Sequence, residues 1–305
     1  MTNPSSQSKI LIVGGSGFLS GTLAQRAVSR DNKVWTVTRG QRPLPTGSTN
    51  LIADRHDVVE FERVVNVAKT DWDLVIDCIA YSPEDIQQDI KVFEKLARHL
   101  VFVSTDFVYD PEYRQFPQRE ETNYYDTGGY GYQKRLSELE LIRYSGGLPW
   151  TIVRPCHIYG PGSLLGCLPA HSRDVDLIKR LRAGEHLKLV GGGRFLQQPI
   201  LARDLADFLL DLQGNKNSYA QVLNAAGPDV LESRTYYQII AEILGVNLSV
   251  EEIAIASYLQ ENPNSRSFLC HRFYDLSKAV EIGIPLHGTS IDQGLKEHVE
   301  SILAE

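Results

Sequence analysis

From Lys9 onward, short apolar runs alternate with longer amphipathic ones, the pattern of parallel strands joined by helical crossovers. The runs "KILIVGG", "KVWTVTR", "LIAD", "DLVIDCIA", "HLVFVST" and "WTIVRP" read as strands, with helices between most of them. Five of the six carry Val, Ile or Leu on both alternations, which predicts a sheet covered on both faces. After Pro155 the regularity falls. "YGPG" and "PAHSRD" mark a loop-rich stretch, followed by a predicted helix over 174–183 and a strand-like "HLKLVGG". "RDLADFLLDL" is a strong helix, and "QVLNAAG" reads as a strand returning to the sheet. Thr235 with Gln238, and Ser290 with Gln293, have the spacing of capping boxes, and "ENPNSRS" reads as a mobile polar loop.

"VGGSGFLSG", Val13 to Gly21, follows the first strand and opens the first helix. Glycines there allow a tight turn and close backbone approach, so that amides at the helix N-terminus can hold a pyrophosphate. Gly14 and Gly17 carry the GxxG spacing, with Ser20 where a third glycine is usual; Ser16, Phe18 and Leu19 complete the expected dinucleotide loop. A tight turn without a ligand is the competing reading, and the position between strand and helix favours the dinucleotide. The expected architecture is therefore α/β, a Rossmann-type doubly wound parallel sheet over 1–165 that 195–227 rejoins. Residues 166–194 and 228–305 would form a smaller C-terminal substrate lobe.

The second strand ends "TVTRGQR". Thr38 stands where an acid would bind a ribose 2'-hydroxyl, and Arg39 and Arg42 follow it. A guanidinium pairs with a 2'-phosphate that a carboxylate would repel, so NADP(H) is favoured over NAD(H). The alternative is that both arginines only solvate a loop.

"YGYQK" places Tyr130 and Lys134 at i and i+4 of a predicted helix, on one side of it. Positive charge beside the phenol would lower its pKa and make it usable as a general acid or base. Taken alone, the pair is more often a surface accident. Thr105, however, ends the buried strand of "VFVSTDFVYD", at the carboxyl end of a parallel strand, where ligands of open α/β folds bind. Hydroxyl, phenol and amine could then converge on one reacting oxygen.

With "GGSGF", "STDFVYD", "YGYQK" and "RPCHIYGPG" in this order, the chain resembles the extended short-chain dehydrogenase/reductases, the NAD(P)-dependent epimerase/dehydratase group. The resemblance implies that Thr105 orients the substrate oxygen, Tyr130 moves the proton, and Lys134 holds the nicotinamide ribose. It also implies that Asp54 lies beside the adenine, Ala80 and Tyr81 along the cofactor, and Pro155 and His157 near the nicotinamide. Asp106 falls to the substrate side; Phe107 replaces the second acid of sugar-nucleotide dehydratases, so dehydration is not expected. "STDFVYD" looks like the reductases of dTDP-4-keto sugars, whereas "TRG" and "ADRHD" look like chloroplast stem-loop-binding proteins and their bacterial relatives. Arg203 is a candidate anchor for a substrate phosphate, and "GGGRFLQQP", with Arg194, Gln197 and Gln198, a turn into a strand lining the cleft.

Composition narrows the partners. The 305 residues carry a formal net charge of -7, which disfavours a broad nucleic-acid grip and points to a small molecule; the resemblance implies that it is a sugar or sugar nucleotide. Cys78, Cys156, Cys167 and Cys270 show no paired spacing and suit a reducing compartment. The eight histidines include no HExxH or paired spacing, so no metal is expected. The start "MTNPSSQSKILIVGG" has an apolar run too short for a signal peptide or membrane span, and predicts a cytoplasmic protein. A homodimer is compatible with this reading. The rival is a non-catalytic dinucleotide-binding protein with an RNA-associated or regulatory role.

Overall fold

The computed structural model describes residues 7–68 and 70–304; most of the polar start lies outside them. In chain order the first half comprises β1 (Lys9–Val13), α1 (Phe18–Ser29), β2 (Lys33–Thr38), β3 (Ser48–Ile52), α2 (Val58–Val67), β4 (Leu74–Asp77), α3 (Pro83–Phe93), β5 (Leu100–Val103), α4 (Gly129–Tyr144) and β6 (Trp150–Pro155). Then come β7 (Ile158–Tyr159), α5 (Leu177–Arg182), β8 (His186–Val190), β9 (Leu196–Gln197), β10 (Ile200–Leu201), α6 (Ala202–Asp211) and β11 (Gln221–Ala225). The chain continues through β12 (Leu231–Glu232), α7 (Ser233–Leu244), β13 (Ser249–Ile253), α8 (Ile255–Glu261), α9 (Ser277–Glu281) and α10 (Ile291–Leu303).

Seven strands form one parallel sheet in the order β11-β6-β5-β4-β1-β2-β3, the Rossmann-type arrangement predicted from the sequence. The strand order reverses between β1 and β4, so a crevice opens at their carboxyl ends. Every residue of β4, β5 and β6 is buried, as the two-sided apolar pattern requires, whereas the edge strand β3 is only partly covered. One core lies under α1 and α6, where Leu23, Ala27, Leu205 and Leu209 meet Ile10, Ile12 and Val101. The opposite face is filled by Phe61, Trp72, Phe93 and Leu141 against Leu11, Val75 and Phe102. A third core, with Leu177, Leu187, Tyr236, Tyr237, Leu295 and Val299, joins α5, β8, α7 and α10.

Three local expectations need correction. β3 begins earlier than "LIAD", because its pairing with β2 starts at Ser48. Thr235 caps no helix. β12 runs directly into α7, so Thr235 lies inside the first turn, and the Ser233 hydroxyl donates to the Gly193 carbonyl at 2.9 Å. "ENPNSRS" is a helical segment, the end of α8 followed by a 3-10 stretch over Pro263–Phe268, with the Phe268 ring 5.7 Å from that of Phe107. Ser290 does cap α10, accepting from the Gln293 amide at 3.4 Å.

Candidate active site

Two cavities open at the carboxyl ends of the central strands and share Tyr81 as a wall. The first, about 350 Å³, lies over the glycine loop, between the ends of β1 and β2. Gly14 and Gly15 have φ of 109° and 120°, backbone that L side chains rarely adopt, and a Cβ on Gly15 would sit 2.5 Å from the Thr36 methyl. The turn thus aims the α1 N-terminus into the cavity, a cradle suited to the pyrophosphate of a dinucleotide. Gly14, Ser16, Gly17, Thr38, Arg39, Arg42 and Asp54 line it. Thr38 donates to Asn50 Oδ1 at 3.0 Å and accepts from the Gly40 amide at 3.1 Å, so its hydroxyl shapes the turn that presents Arg39. Asp54 accepts from the His56 amide at 3.0 Å. Arg55 also reaches this wall, but its guanidinium is engaged by Asp77, Asp85 and Asp89. Among the described residues, Arg39 and Arg42 enter no ion pair.

The second cavity, about 800 Å³, collects Leu19, Thr105, Asp106, Tyr130, Lys134, Pro155 and His157 on one wall. Thr105 arrives from the end of β5, Tyr130 and Lys134 from the first turns of α4, Pro155 and His157 from the end of β6. The α4 N-terminus packs directly on the segment after β5: a Cβ at Gly131 would lie 2.0 Å from the Phe107 carbonyl oxygen. That closeness brings the phenol over the strand end. Tyr130 is half exposed, flanked by Phe107 at 6.2 Å and Tyr81 at 6.4 Å between ring centres.

Lys134 is only 2% exposed. Its ammonium donates to the carbonyl oxygens of Ala80 at 2.7 Å and Val103 at 2.9 Å, leaving one proton for a ligand hydroxyl. Burial pulls its pKa down to about 8, against the opposing pull of Asp77. The expected lowering of the phenol is not seen: partial burial, then Tyr81 and the Asp106 carboxylate, push Tyr130 up to about 12. Lys134 is not among the main influences on the phenol, so the protein alone does not activate it. His157 is pulled down to about 4 by burial and by Arg173, and is neutral near pH 7.

Other residues singled out from the sequence fall elsewhere. Asp106 borders the cavity, but its carboxylate accepts from Arg272, Tyr274 and Arg114, and burial is outweighed by Arg272 and Arg114, which hold it low. It clasps the C-terminal segment to the loop after β5, which leaves little of it for a substrate. Arg203 is not in the cleft: it pairs with Glu297 at 2.9 Å, because α10 lies beside the start of α6. Arg194 does not reach the cavity, and Gln198 is held by the Gly227 carbonyl and the Tyr274 amide, both at 2.8 Å. Phe18 borders a neighbouring cavity with Arg42 and Gly162, and Ala80 contributes its carbonyl to Lys134 rather than a cavity wall.

Sequence reasoning missed Glu138, one turn beyond Lys134 and fully buried. Ser104 donates to it at 2.7 Å, Arg154 grips it through two bonds of 2.8 and 2.7 Å, and Arg135 adds a third contact at 2.8 Å. These bonds tie α4 to β5 and β6 and fix the helix that carries Tyr130. The i+4 spacing from Lys134 was the available signal. Among the described residues no cluster of three metal-ligating side chains occurs, and no helix is long and apolar enough to cross a membrane.

Known proteins share this fold. A protein of Arabidopsis thaliana, chloroplast stem-loop binding protein of 41 kDa b, is 26% identical over 73% of this chain, which spans 60% of that relative's length. UDP-N-acetyl-alpha-D-glucosaminuronate decarboxylase of Bacillus cytotoxicus is 23% identical over 96% of this chain and 97% of its own. The crystal structure of UDP-glucose 4-epimerase with UDP-glucose from Thermotoga maritima superposes with a TM-score of 0.76 at 18% identity, covering 97% of this chain and 99% of that one. The family model for NAD dependent epimerases and dehydratases matches residues 10–226, the whole sheet with its glycine loop and YxxxK helix, and the chain belongs to the NAD dependent epimerase/dehydratase family.

Proposed function

We propose that the protein is an NADP(H)-preferring oxidoreductase or epimerase acting at a secondary alcohol or ketone of a sugar or sugar nucleotide. The observation that carries this is the meeting of Thr105, Tyr130 and Lys134, from two elements, on one cavity wall that adjoins the glycine-loop cavity. The nicotinamide, when bound, supplies the hydride donor or acceptor. Thr105 orients the reacting oxygen, and Tyr130 gives it a proton or takes one from it. Lys134 offers its remaining proton to the ribose and sets a positive charge under the site. Neutral His157 and Pro155 line the cavity beside them. Residues 166–194 and 228–305 serve as the substrate lobe. Support for the sugar-nucleotide class comes from the decarboxylase and the epimerase just described, both named for UDP-sugars. Support for NADP(H) comes from Arg39 and Arg42 at the end of β2, unpaired among the described residues, with Arg55 withdrawn by three carboxylates.

The test is a screen of keto sugars and keto-sugar nucleotides for NADPH oxidation, with parallel incubation of UDP-sugars and oxidised cofactor read by NMR for inversion. Hydride transfer or inversion on at least one carbohydrate is expected. A protein that binds NADP(H) yet turns over none of them contradicts the reading.

A further inference from the structure

Behind the wall of the glycine-loop cavity lies a buried ion cluster that the proposed chemistry does not use. Arg55 is 5% exposed, and its guanidinium meets Asp77 at the end of β4 and Asp85 and Asp89 on α3. All three carboxylates are buried. Burial, with Asp77 beside it, raises Asp89 well above the usual carboxylate range, whereas Arg55 outweighs burial at Asp77 and holds it low. Asp89 thus favours its protonated form, and the remaining charges balance, Asp77 and Asp85 against Arg55 and Lys134. Ions buried in this way give little net stability, so the cluster's contribution is its geometry.

That geometry shapes the turn between β4 and α3. One oxygen of Asp77 accepts from the Ile79 and Ala80 amides at 2.6 and 2.8 Å, and one oxygen of Asp85 accepts from the Tyr81 and Ser82 amides at 2.7 and 3.1 Å. Arg55 binds the other oxygen of each carboxylate and donates to the Asp85 carbonyl at 2.8 Å. The amides of 79–82 are therefore fixed by two carboxylates that a single guanidinium fork holds together. The same turn holds Lys134: the Ala80 carbonyl accepts from its ammonium at 2.7 Å, and the Tyr81 ring centre lies 4.8 Å from it.

We propose that Arg55 is a positioning residue for Lys134. By clamping Asp77 to Asp85 it sets the turn that aims the ammonium at the nicotinamide ribose, so an arginine behind the glycine-loop cavity governs the grip on the far end of the cofactor. A lysine at this position would keep the charge but could not reproduce the fork. The inference rests on the proposed function and deepens it by naming what orients Lys134.

Calorimetric titration of the full chain tests it, using NADPH and adenosine 2',5'-bisphosphate, which carries the adenosine and 2'-phosphate but no nicotinamide ribose. Arg55→Lys should weaken NADPH by roughly 10-fold, as for a lost hydrogen bond to a charged group, and change the bisphosphate by less than about 2-fold. Lys134→Met should show the same split, and in its background Arg55→Lys should weaken NADPH no further, the non-additivity of residues acting as one unit. Asp85→Asn keeps an oxygen for the two amides but gives up the ion pair, so it should show a smaller loss of the same kind; it carries the test if circular dichroism shows Arg55→Lys unfolded. Equal loss of both ligands would mean that Arg55 acts on the adenosine portion or on the fold at large. Additive losses would mean that it acts independently of Lys134. Either result, or unchanged NADPH affinity in folded Arg55→Lys, overturns the role and leaves the proposed function standing. A wild type that binds no NADPH overturns the proposed function and this role with it, so the two failures are distinct.

Discussion

Lys134 illustrates how a single position is set by its surroundings. Its ammonium lies beneath the sheet crevice, with a pKa drawn from the ordinary 10.5 to about 8 by burial. Below about pH 8 the lysine is charged in both folded and unfolded chains; between about 8 and 10.5 the unfolded chain binds more protons, so rising pH favours the fold. Relative to Lys134→Met, the wild-type unfolding free energy should therefore rise by about 1 to 3 kcal/mol between roughly pH 7.5 and 10. Urea unfolding of both proteins at the two pH values measures this, and a flat or falling difference would contradict the assignment. At Arg39 the charge faces the nucleotide cavity instead. NADPH should bind more tightly than NADH by about 1 to 3 kcal/mol, and Arg39→Ala should erase most of the preference. Equal affinities in the wild type would remove the basis for an NADP(H) assignment. The candidate residues on the central wall were legible because YxxxK, the strand-end threonine and the glycine loop are local patterns. The phenol's pKa was not, since it depends on partial burial and on Tyr81 and Asp106, which only the fold brings beside the ring.

At the scale of elements, the decisive contact is the packing of α4 on the segment after β5. Gly131 permits it, and Gly131→Ala would press a methyl group against the Phe107 carbonyl. The expected cost is about 1 to 3 kcal/mol of stability, typical of overpacking, together with reduced turnover as Tyr130 shifts. Denaturant unfolding decides the matter: a variant as stable as the wild type would show that the contact relaxes freely. The strands were readable because burial on both faces imposes a continuous apolar run, and β4, β5 and β6 follow that rule without exception. The helix start at Thr235 was misread because a two-residue strand runs into α7 with no loop in which a cap could stand. Arg203 was misassigned for a different reason. Its partner Glu297 lies 94 residues away on α10, a proximity that no local pattern encodes.

Across the whole molecule, charge and long-range pairing separate the possibilities. The clasp of Asp106 by Arg272 and Tyr274 joins residues 166 and 168 positions apart, and the site's link to the C-terminal segment was therefore invisible in the sequence. With a net charge of -7, RNA should bind weakly and lose affinity steeply between low and physiological salt. Tight, sequence-selective RNA binding at physiological salt, measured by filter binding, would favour the RNA-associated role over catalysis. The central claim is that Tyr130 transfers the proton, and Tyr130→Phe addresses it with the loss of one oxygen. On a substrate found by the NADPH screen, turnover should fall by roughly 100- to 10,000-fold while cofactor affinity and fold stay near wild type, with Tyr132→Phe as an unaffected control; full turnover by Tyr130→Phe would contradict the mechanism.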